Sequence, residues 1–142
     1  MEKATSIPRI GSKLRKNILR MPEAVFQASG IVINGRRIKS CVFTTDLAII
    51  RNCDADAVFA VYPFTPQQVI SQSIINVAPM PVFVGVGGGI TNGVRSAIIA
   101  KDAEGDGAWG VVVNAPVTND NIKLISATVD VPIIATVIHE SA

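Results

Sequence analysis

Apolar runs recur along the chain and alternate with segments whose apolar residues fall at helical spacing. The strand-like runs span residues 40–45, 57–62, 81–86, 108–114 and 131–138, and the helical patterns lie at 46–53, 65–77, 91–101 and 118–128. The runs are almost continuously apolar, which is typical of strands that are buried on both faces of a parallel sheet. The pattern therefore predicts an α/β fold built from about five parallel βα units.

The first forty residues follow a different pattern. Residues 12–28 carry apolar positions at near-helical spacing, with Ser12 placed to cap a helix. Pro22 indicates either a kink in this helix or two short helices. Asn34-Gly35 then separates two short strands and predicts a type I′ hairpin, because both turn residues need a positive φ. We therefore expect a basic N-terminal helix and β-hairpin over residues 1–40 and a βα-repeat region over residues 41–142, within one structural domain.

Two architectures fit about five parallel units in 142 residues. A TIM barrel has eight strands and typically about 250 residues, so this chain would form a partial TIM-barrel-like sheet. The alternative is a flavodoxin-like doubly wound sheet, which has five parallel strands. Because five units are too few to close a barrel, the first architecture also predicts a homo-oligomer, a dimer or higher.

Composition narrows the class of protein. Hydrophobic residues make up 49% and charged residues 17% of the chain, a balance that excludes a disordered protein. Residues 57–94 hold no Asp, Glu, Lys or Arg, but four prolines interrupt this interval, so it does not predict a membrane span. The N-terminus lacks the apolar core of a secretion signal, and Cys41 and Cys53 have no metal-binding spacing. We therefore expect a cytoplasmic protein with no membrane contact, no metal and no cofactor.

Charge is divided between the two regions. Residues 1–40 hold nine basic and two acidic side chains, whereas residues 41–142 hold four basic and nine acidic ones. A basic arm on an acidic body can bind nucleic acid or dock on a neighbouring subunit. This leaves an alternative function open, that of a non-enzymatic regulatory or RNA-binding protein that uses Arg36, Arg37, Lys39 and the N-terminal helix.

Candidate catalytic groups stand at the ends of the predicted strands. In both architectures the C-terminal ends of parallel strands form the functional rim. Asp46, Tyr62, Asn114, His139 and Glu140 stand at or just after the ends of strand-like runs. His139 is the only histidine, and with Asp46 it provides an acid–base pair, so these two are the candidate catalytic residues. Tyr62, Asn114 and Glu140 are candidate ligand-binding residues on the same rim.

A glycine-rich turn follows the third strand-like run. Gly87, Gly88 and Gly89 precede Thr91 and Asn92, where a predicted helix begins. Glycines let the backbone approach a ligand closely, and a helix N-terminus presents free N–H groups and the positive end of the helix dipole. We therefore expect these five residues to bind an anion.

Two stretches around this turn resemble the paired phosphate-binding units of TIM-barrel enzymes. They are Val84-Gly85-Val86-Gly87-Gly88-Gly89-Ile90 and, after a predicted helix, Gly107-Ala108-Trp109-Gly110-Val111-Val112-Val113. The resemblance implies that the backbone amides of Gly88, Gly89 and the residues near Asn114 hold a phosphate. The run from Gly107 to Glu140 is also similar to the glycerol-phosphate-responsive antiterminator proteins, which are barrel-like RNA regulators.

Taken together, these features favour a protein that binds a small anionic metabolite, such as a phosphorylated compound, at the glycine-rich turn. The candidate residues fit the acid–base chemistry of a hydrolase or a lyase. The sequence contains neither the GxSxG motif of a nucleophile elbow nor the HExxH motif of a zinc protease. Those two classes of hydrolase are therefore excluded.

Overall fold

Strand pairing organises the computed structural model, which describes residues 18–137. An antiparallel hairpin precedes a parallel sheet of five strands. The hairpin consists of β1 (Ile31–Ile33) and β2 (Arg36–Ile38), and the sheet of β3 (Cys41–Phe43), β4 (Ala57–Ala60), β5 (Val82–Gly87), β6 (Gly110–Val113) and β7 (Ile133–Ala135). Each parallel strand falls on one of the apolar runs of the sequence, so the five predicted strands are confirmed.

Each strand of the sheet lies beside the strand that precedes it in the chain, in the order β3-β4-β5-β6-β7. In a flavodoxin-like sheet the second strand in the chain lies outside the first, so the spatial order of the strands is not sequential. The observed order is sequential, and the flavodoxin-like alternative is therefore wrong. A sequential order of parallel strands is the arrangement of a TIM barrel. The chain therefore forms a partial TIM-barrel-like α/β sheet, with β3 and β7 at its two edges.

Helices follow the strands as the sequence predicts. They are α1 (Leu47–Arg51), α2 (Gln68–Val77), α3 (Gly93–Asp106) and α4 (Asn119–Thr128). Thr118 caps α4, because its side chain accepts a hydrogen bond from the Asn121 N–H. α2 and α3 begin two or three residues later than the helical patterns suggest. No helix within residues 18–137 is long and apolar enough to cross a membrane.

Alternate residues of each strand pack on opposite faces of the sheet. One face, here called the helix face, places residues such as Val58 and Val84 against Ile74 of α2 and Ile125 of α4. The other, here called the hairpin face, carries the aromatic pair Phe59 and Phe83 together with Ala57 and Val112. The hairpin covers this second face with two buried isoleucines, Ile33 and Ile38. The central strands are thus buried on both sides, as their continuous apolar runs require.

The turn of the hairpin has the predicted conformation. Asn34 has a φ of 50° and Gly35 a φ of 77°, and the turn closes a ladder in which Ile33 faces Arg36. Both central residues therefore have the positive φ of a type I′ turn. The hairpin prediction is confirmed.

A continuous helix over residues 12–28 is contradicted where the structure describes this segment, from residue 18 onward. Leu19 is extended: its N–H donates to the carbonyl oxygen of Asn52, and its carbonyl accepts from the N–H of Asp54. A short 3-10 helix spans Glu23–Gln27. Pro22 explains the break, because proline disfavours a helical conformation in the residue before it. Residues 12–17 lie outside the described part of the chain.

Candidate functional site

The C-terminal ends of β4, β5 and β6 surround a cleft of about 460 Å³. Its walls come from residues 61–66 after β4, from residues 85–91 at the end of β5 and in the turn that follows, and from Asn114 and Ala115 after β6. We call this cavity the rim cleft. Because the three strands are parallel, it lies at the edge of the sheet that carries the active sites of TIM-barrel proteins.

The structure brings six of the predicted ligand-binding residues together in the lining of the rim cleft. They are Tyr62, Gly87, Gly88, Gly89, Thr91 and Asn114. Thr91 is 5% exposed, whereas Phe64 is 71% and Ile90 is 94% exposed. The lining of the cleft therefore includes a buried polar residue and exposed apolar side chains.

Other predicted residues lie elsewhere. The Asn92 Nδ2 donates to the carbonyl oxygen of Gly89 at 2.9 Å, so this side chain closes the glycine turn and does not line the cleft. Asp46 caps α1, where its Oδ1 accepts from two backbone N–H groups. His139 and Glu140 lie outside the described residues. The pairing of Asp46 with His139 therefore stays a prediction.

The backbone N–H groups of the glycine turn (residues 87–91) donate hydrogen bonds within the protein. The Gly88 N–H donates to the carbonyl oxygen of Thr91 at 2.7 Å, and the Gly89 N–H donates to that of Pro116 at 2.8 Å. The Asn114 N–H donates to the carbonyl oxygen of Gly87 at 3.0 Å. These three amides already donate within the protein, and their binding of a phosphate stays a prediction. An antiparallel bridge between Gly88 and Thr91 folds the turn back on itself and satisfies the amides internally.

Close packing explains why glycine occupies position 88. A Cβ on Gly88 would lie 2.0 Å from the carbonyl oxygen of Asn114, and the residue has a φ of +128°. Gly89 is different, because a Cβ there would have Pro116 Cδ as its nearest neighbour, at 4.0 Å. Only its φ of +61° favours glycine at that position. The glycine at 88 is thus explained by packing between β5 and β6, without any ligand.

Ser96 supports the turn from helix α3, and the sequence analysis did not identify it. Its side chain is 2% exposed, and its hydroxyl donates to the carbonyl oxygen of Thr91 at 3.0 Å. A Cβ on Gly87 would lie 2.1 Å from the Ser96 Oγ, so the hydroxyl fills the space that this glycine leaves. A serine among the alanines of the buried face of α3 is the signal that could have revealed this role.

Thr136 is a second residue that the sequence analysis missed. Its Oγ1 donates to the Asn114 Oδ1 at 3.1 Å and accepts from the Ala115 N–H at 3.1 Å. Its N–H also donates to the carbonyl oxygen of Val113 at 2.9 Å. Thr136 therefore joins the end of β7 to the end of β6 and holds the side chain of Asn114. A polar residue within the apolar run 131–138 is the signal that could have found it.

Tyr62 contributes its ring to the rim cleft, while its hydroxyl is bound to the backbone. The Tyr62 Oη accepts from the Gln67 N–H at 2.8 Å and lies 3.4 Å from the carbonyl oxygen of the same residue. Gln67 is the residue that precedes the first turn of α2. The hydroxyl thus takes the place of a capping side chain for this helix.

Charged side chains are absent from the described lining of the rim cleft. Elsewhere in residues 18–137, no three His, Cys, Asp or Glu side chains cluster as the ligands of a metal ion would. Burial raises the pKa of the Cys41 thiol, and the neighbouring Asp56 carboxylate raises it further. The thiol therefore stays protonated at neutral pH and is a poor nucleophile.

The basic hairpin uses two of its cations within the protein. Arg37 Nη1 donates to the carbonyl oxygen of Ser29 at 2.5 Å, and Lys39 Nζ donates to that of Phe26 at 3.1 Å. Both side chains therefore fasten the hairpin to the segment before it. These contacts give the cations a structural role that needs no RNA.

Comparing Gly88→Ala with Gly89→Ala separates the cost of a steric collision from the cost of a positive φ in a residue other than glycine. We expect Gly88→Ala to lower the free energy of unfolding by about 3 kcal/mol, because a left-handed φ costs an alanine about 1–2 kcal/mol and overpacking adds about 1–3 kcal/mol. Gly89→Ala should lose only the first contribution, about 1–2 kcal/mol. Urea denaturation of both variants measures the difference. Equal losses would contradict the close contact between Gly88 and Asn114.

Comparison with known proteins supports the fold. No family model matches the chain, and no curated protein matches it. A dihydrodipicolinate synthase aligns over 75% of this chain and 43% of its own, with 15% identity and a TM-score of 0.53. The 4-hydroxy-tetrahydrodipicolinate synthase of Methylacidiphilum fumariolicum SolV aligns over 75% of this chain and 41% of its own, with 17% identity and a TM-score of 0.53. The chain thus spans about two fifths of the length of these TIM-barrel neighbours and shares their fold.

Proposed function

We propose that this chain binds a small polar metabolite in the rim cleft. The observation that carries the proposal is the position of the cleft at the C-terminal ends of β4, β5 and β6, where α/β folds of this kind place their ligands. Its volume of about 460 Å³ suits a small molecule. The lining combines the polar side chains of Thr91 and Asn114 with apolar walls that include Phe64 and Ile90, a mixture typical of ligand sites.

A phosphorylated ligand has less support than the sequence suggested, because the amides of Gly88 and Gly89 are bonded within the protein. We propose a cytoplasmic location on the ground that Cys41 and Cys53 are both free thiols, as is usual in a reducing compartment.

We further propose that the bound metabolite is cleaved by lyase-type acid–base chemistry. Two solved structures that share the fold are named as synthases, which supports an enzymatic function for this chain. His139 is the proposed acid–base group, with Glu140 beside it in the chain, because both follow β7 and β7 pairs with β6, the strand that precedes Asn114. Asp46 already accepts two hydrogen bonds as the cap of α1, so the proposal rests on His139.

We also propose that the chain assembles as a homo-oligomer through its sheet edges. No residue of the edge strands β3 and β7 is buried, whereas every residue of β4 and β6 is buried. Phe43 on β3 is 64% exposed, and its ring packs at a tilt against Phe59 with centroids 4.7 Å apart. An open edge of apolar residues invites pairing with another strand, and a second copy supplies one.

Metabolite profiling tests the enzymatic proposal. The full chain is incubated with a cell extract from which proteins have been removed, and the small molecules are followed by mass spectrometry. We expect one metabolite to be depleted and two products to appear whose masses sum to that of the substrate. Products that sum to the substrate plus one water would instead identify a hydrolase. His139→Gln should abolish the depletion, and an unchanged rate would contradict the role of His139.

Two matched glycine variants test whether the metabolite binds in the rim cleft. Gly89 has a φ of +61° and Gly35 a φ of +77°, and both have room for a Cβ. Asparagine tolerates this conformation, so neither Gly89→Asn nor Gly35→Asn should unfold the chain. We expect Gly89→Asn to slow the depletion by roughly tenfold, because a new side chain crowds the cleft and a loss of about 1.4 kcal/mol is tenfold. Gly35→Asn, in the hairpin, should leave the rate unchanged, and equal effects would contradict the site.

Light scattering tests the assembly. Phe43→Lys places a charge on the exposed edge strand, whereas Val69→Lys places one on an equally exposed apolar position of α2, since the two residues are 64% and 68% exposed. We expect the wild type and Val69→Lys to form the same oligomer and Phe43→Lys to be a monomer, because a buried lysine opposes edge pairing. A monomeric wild type would contradict the proposal.

A further inference from the structure

Asn114 is held in place by two neighbours, one against its backbone and one bonded to its side chain. Its backbone lies against Gly88, where even a methyl group would collide with the Asn114 carbonyl oxygen at 2.0 Å. Its side-chain Oδ1 accepts a hydrogen bond from Thr136 Oγ1 at 3.1 Å. Thr136 is itself fixed, because it bonds to the backbone of Val113 and of Ala115. The amide of Asn114 is therefore placed in one orientation before any ligand arrives.

This orientation leaves the amide nitrogen for the cleft. The Thr136 Oγ1 accepts from the Ala115 N–H and donates its own proton to the Asn114 Oδ1. The Asn114 Nδ2 carries two N–H donors and bonds to no other group among residues 18–137, while the residue lines the rim cleft. An amide nitrogen only donates, so the cleft offers a fixed donor at this point.

A second polar group lines the same cleft. Thr91 is 5% exposed, and its hydroxyl has no hydrogen-bond partner within the described part of the chain. Buried hydroxyl groups in folded proteins are nearly always hydrogen-bonded, so an oxygen or nitrogen from a ligand or a water is expected beside it. Thr91 and Asn114 thus present two polar side chains to one occupant of the cleft.

The surrounding walls select against strong charge. The described lining holds no Lys, Arg or His side chain, and the amides of Gly88 and Gly89 are bonded internally. A phosphate that entered the cleft would lose its hydration without a cation to replace it, which is costly. An uncharged carbonyl group loses less hydration and needs only one or two donors. The cleft therefore matches a neutral carbonyl oxygen better than a phosphate.

We infer that Asn114 determines the specificity of the rim cleft by donating its side-chain N–H to a carbonyl oxygen of an uncharged part of the ligand, and that Thr136 is its positioning residue. This inference rests on the proposed function, since it takes the rim cleft as the ligand site. It adds the chemical class of the group that is recognised. Thr91 supplies the second hydrogen bond.

Nuclear magnetic resonance of the full 15N-labelled chain tests the inference. Three probes are titrated: cyclopentanone; methylenecyclopentane, in which a C=CH2 group replaces the carbonyl; and inorganic phosphate. We expect cyclopentanone to shift the Nδ2–H resonances of Asn114, and the other two probes to leave them in place. A shift with phosphate, or an equal shift with methylenecyclopentane, overturns the inference.

Asn→Asp variants of equal size test whether the N–H donors of Asn114 bind the ligand. Asn114→Asp keeps the oxygen that Thr136 contacts and removes the N–H donors, so the affinity for cyclopentanone should fall roughly tenfold, the loss of one hydrogen bond. Asn76→Asp makes the same exchange at an exposed position of α2 and should leave the affinity unchanged. Unchanged affinity in Asn114→Asp overturns the inference.

Thr136 is tested by removal and rescue. Thr136→Val deletes the hydroxyl at nearly constant volume and should weaken cyclopentanone binding several-fold, because one hydrogen bond to Asn114 is lost. Thr136→Ser retains the hydroxyl and should restore binding to within about twofold of the wild type. Equal binding by the two variants contradicts the positioning role. If cyclopentanone shifts no resonance of the cleft, the inference fails, while metabolite depletion by the wild type still decides the proposed function independently.

Discussion

The end of β5 approaches the end of β6 so closely only because position 88 carries no side chain. The Gly88 Cα lies against the backbone of Asn114, and a single methyl group would fall 2.0 Å from its carbonyl oxygen. This contact brings the glycine turn beside the loop after β6, so that the Gly89 N–H reaches the Pro116 carbonyl. The shape of the rim cleft follows from this steric constraint, and Thr136 then orients the side chain of Asn114 with its hydroxyl.

The order of the strands in the sheet places the contact between Gly88 and Asn114 at the edge where the rim cleft lies. Five parallel strands in sequential order place all their C-terminal ends on one edge, so the loops after β4, β5 and β6 meet there. Helices cover one face of the sheet, and a hairpin that contributes Ile33 and Ile38 covers part of the other. The edge strands β3 and β7 are left only partly buried, which connects the incomplete barrel to the proposed assembly.

Strands and turns, which depend on the residues of one continuous segment, could be predicted from the sequence. Single hydrogen bonds between residues far apart in the chain could not. Continuous apolar runs identified all five parallel strands, and Asn34-Gly35 identified the hairpin turn. The glycine turn was correctly placed on the rim, but its amides were expected to be free. Whether an N–H group is free depends on a carbonyl elsewhere, here that of Pro116, and spacing along the chain does not reveal such a partner. The bond between Thr136 and Asn114 likewise joins residues far apart in the chain, and only the polar residue within the apolar run 131–138 indicated it.

Amide hydrogen exchange of the ligand-free chain tests most directly whether the glycine turn satisfies its own amides. The N–H groups of Gly88 and Gly89 donate to carbonyl oxygens, whereas the N–H of the neighbouring Ile90 has no acceptor among residues 18–137. We expect the N–H groups of Gly88 and Gly89 to exchange roughly tenfold more slowly than the N–H group of Ile90. Equal, fast exchange at all three positions, with protection of Gly88 and Gly89 only after inorganic phosphate is added, would contradict it.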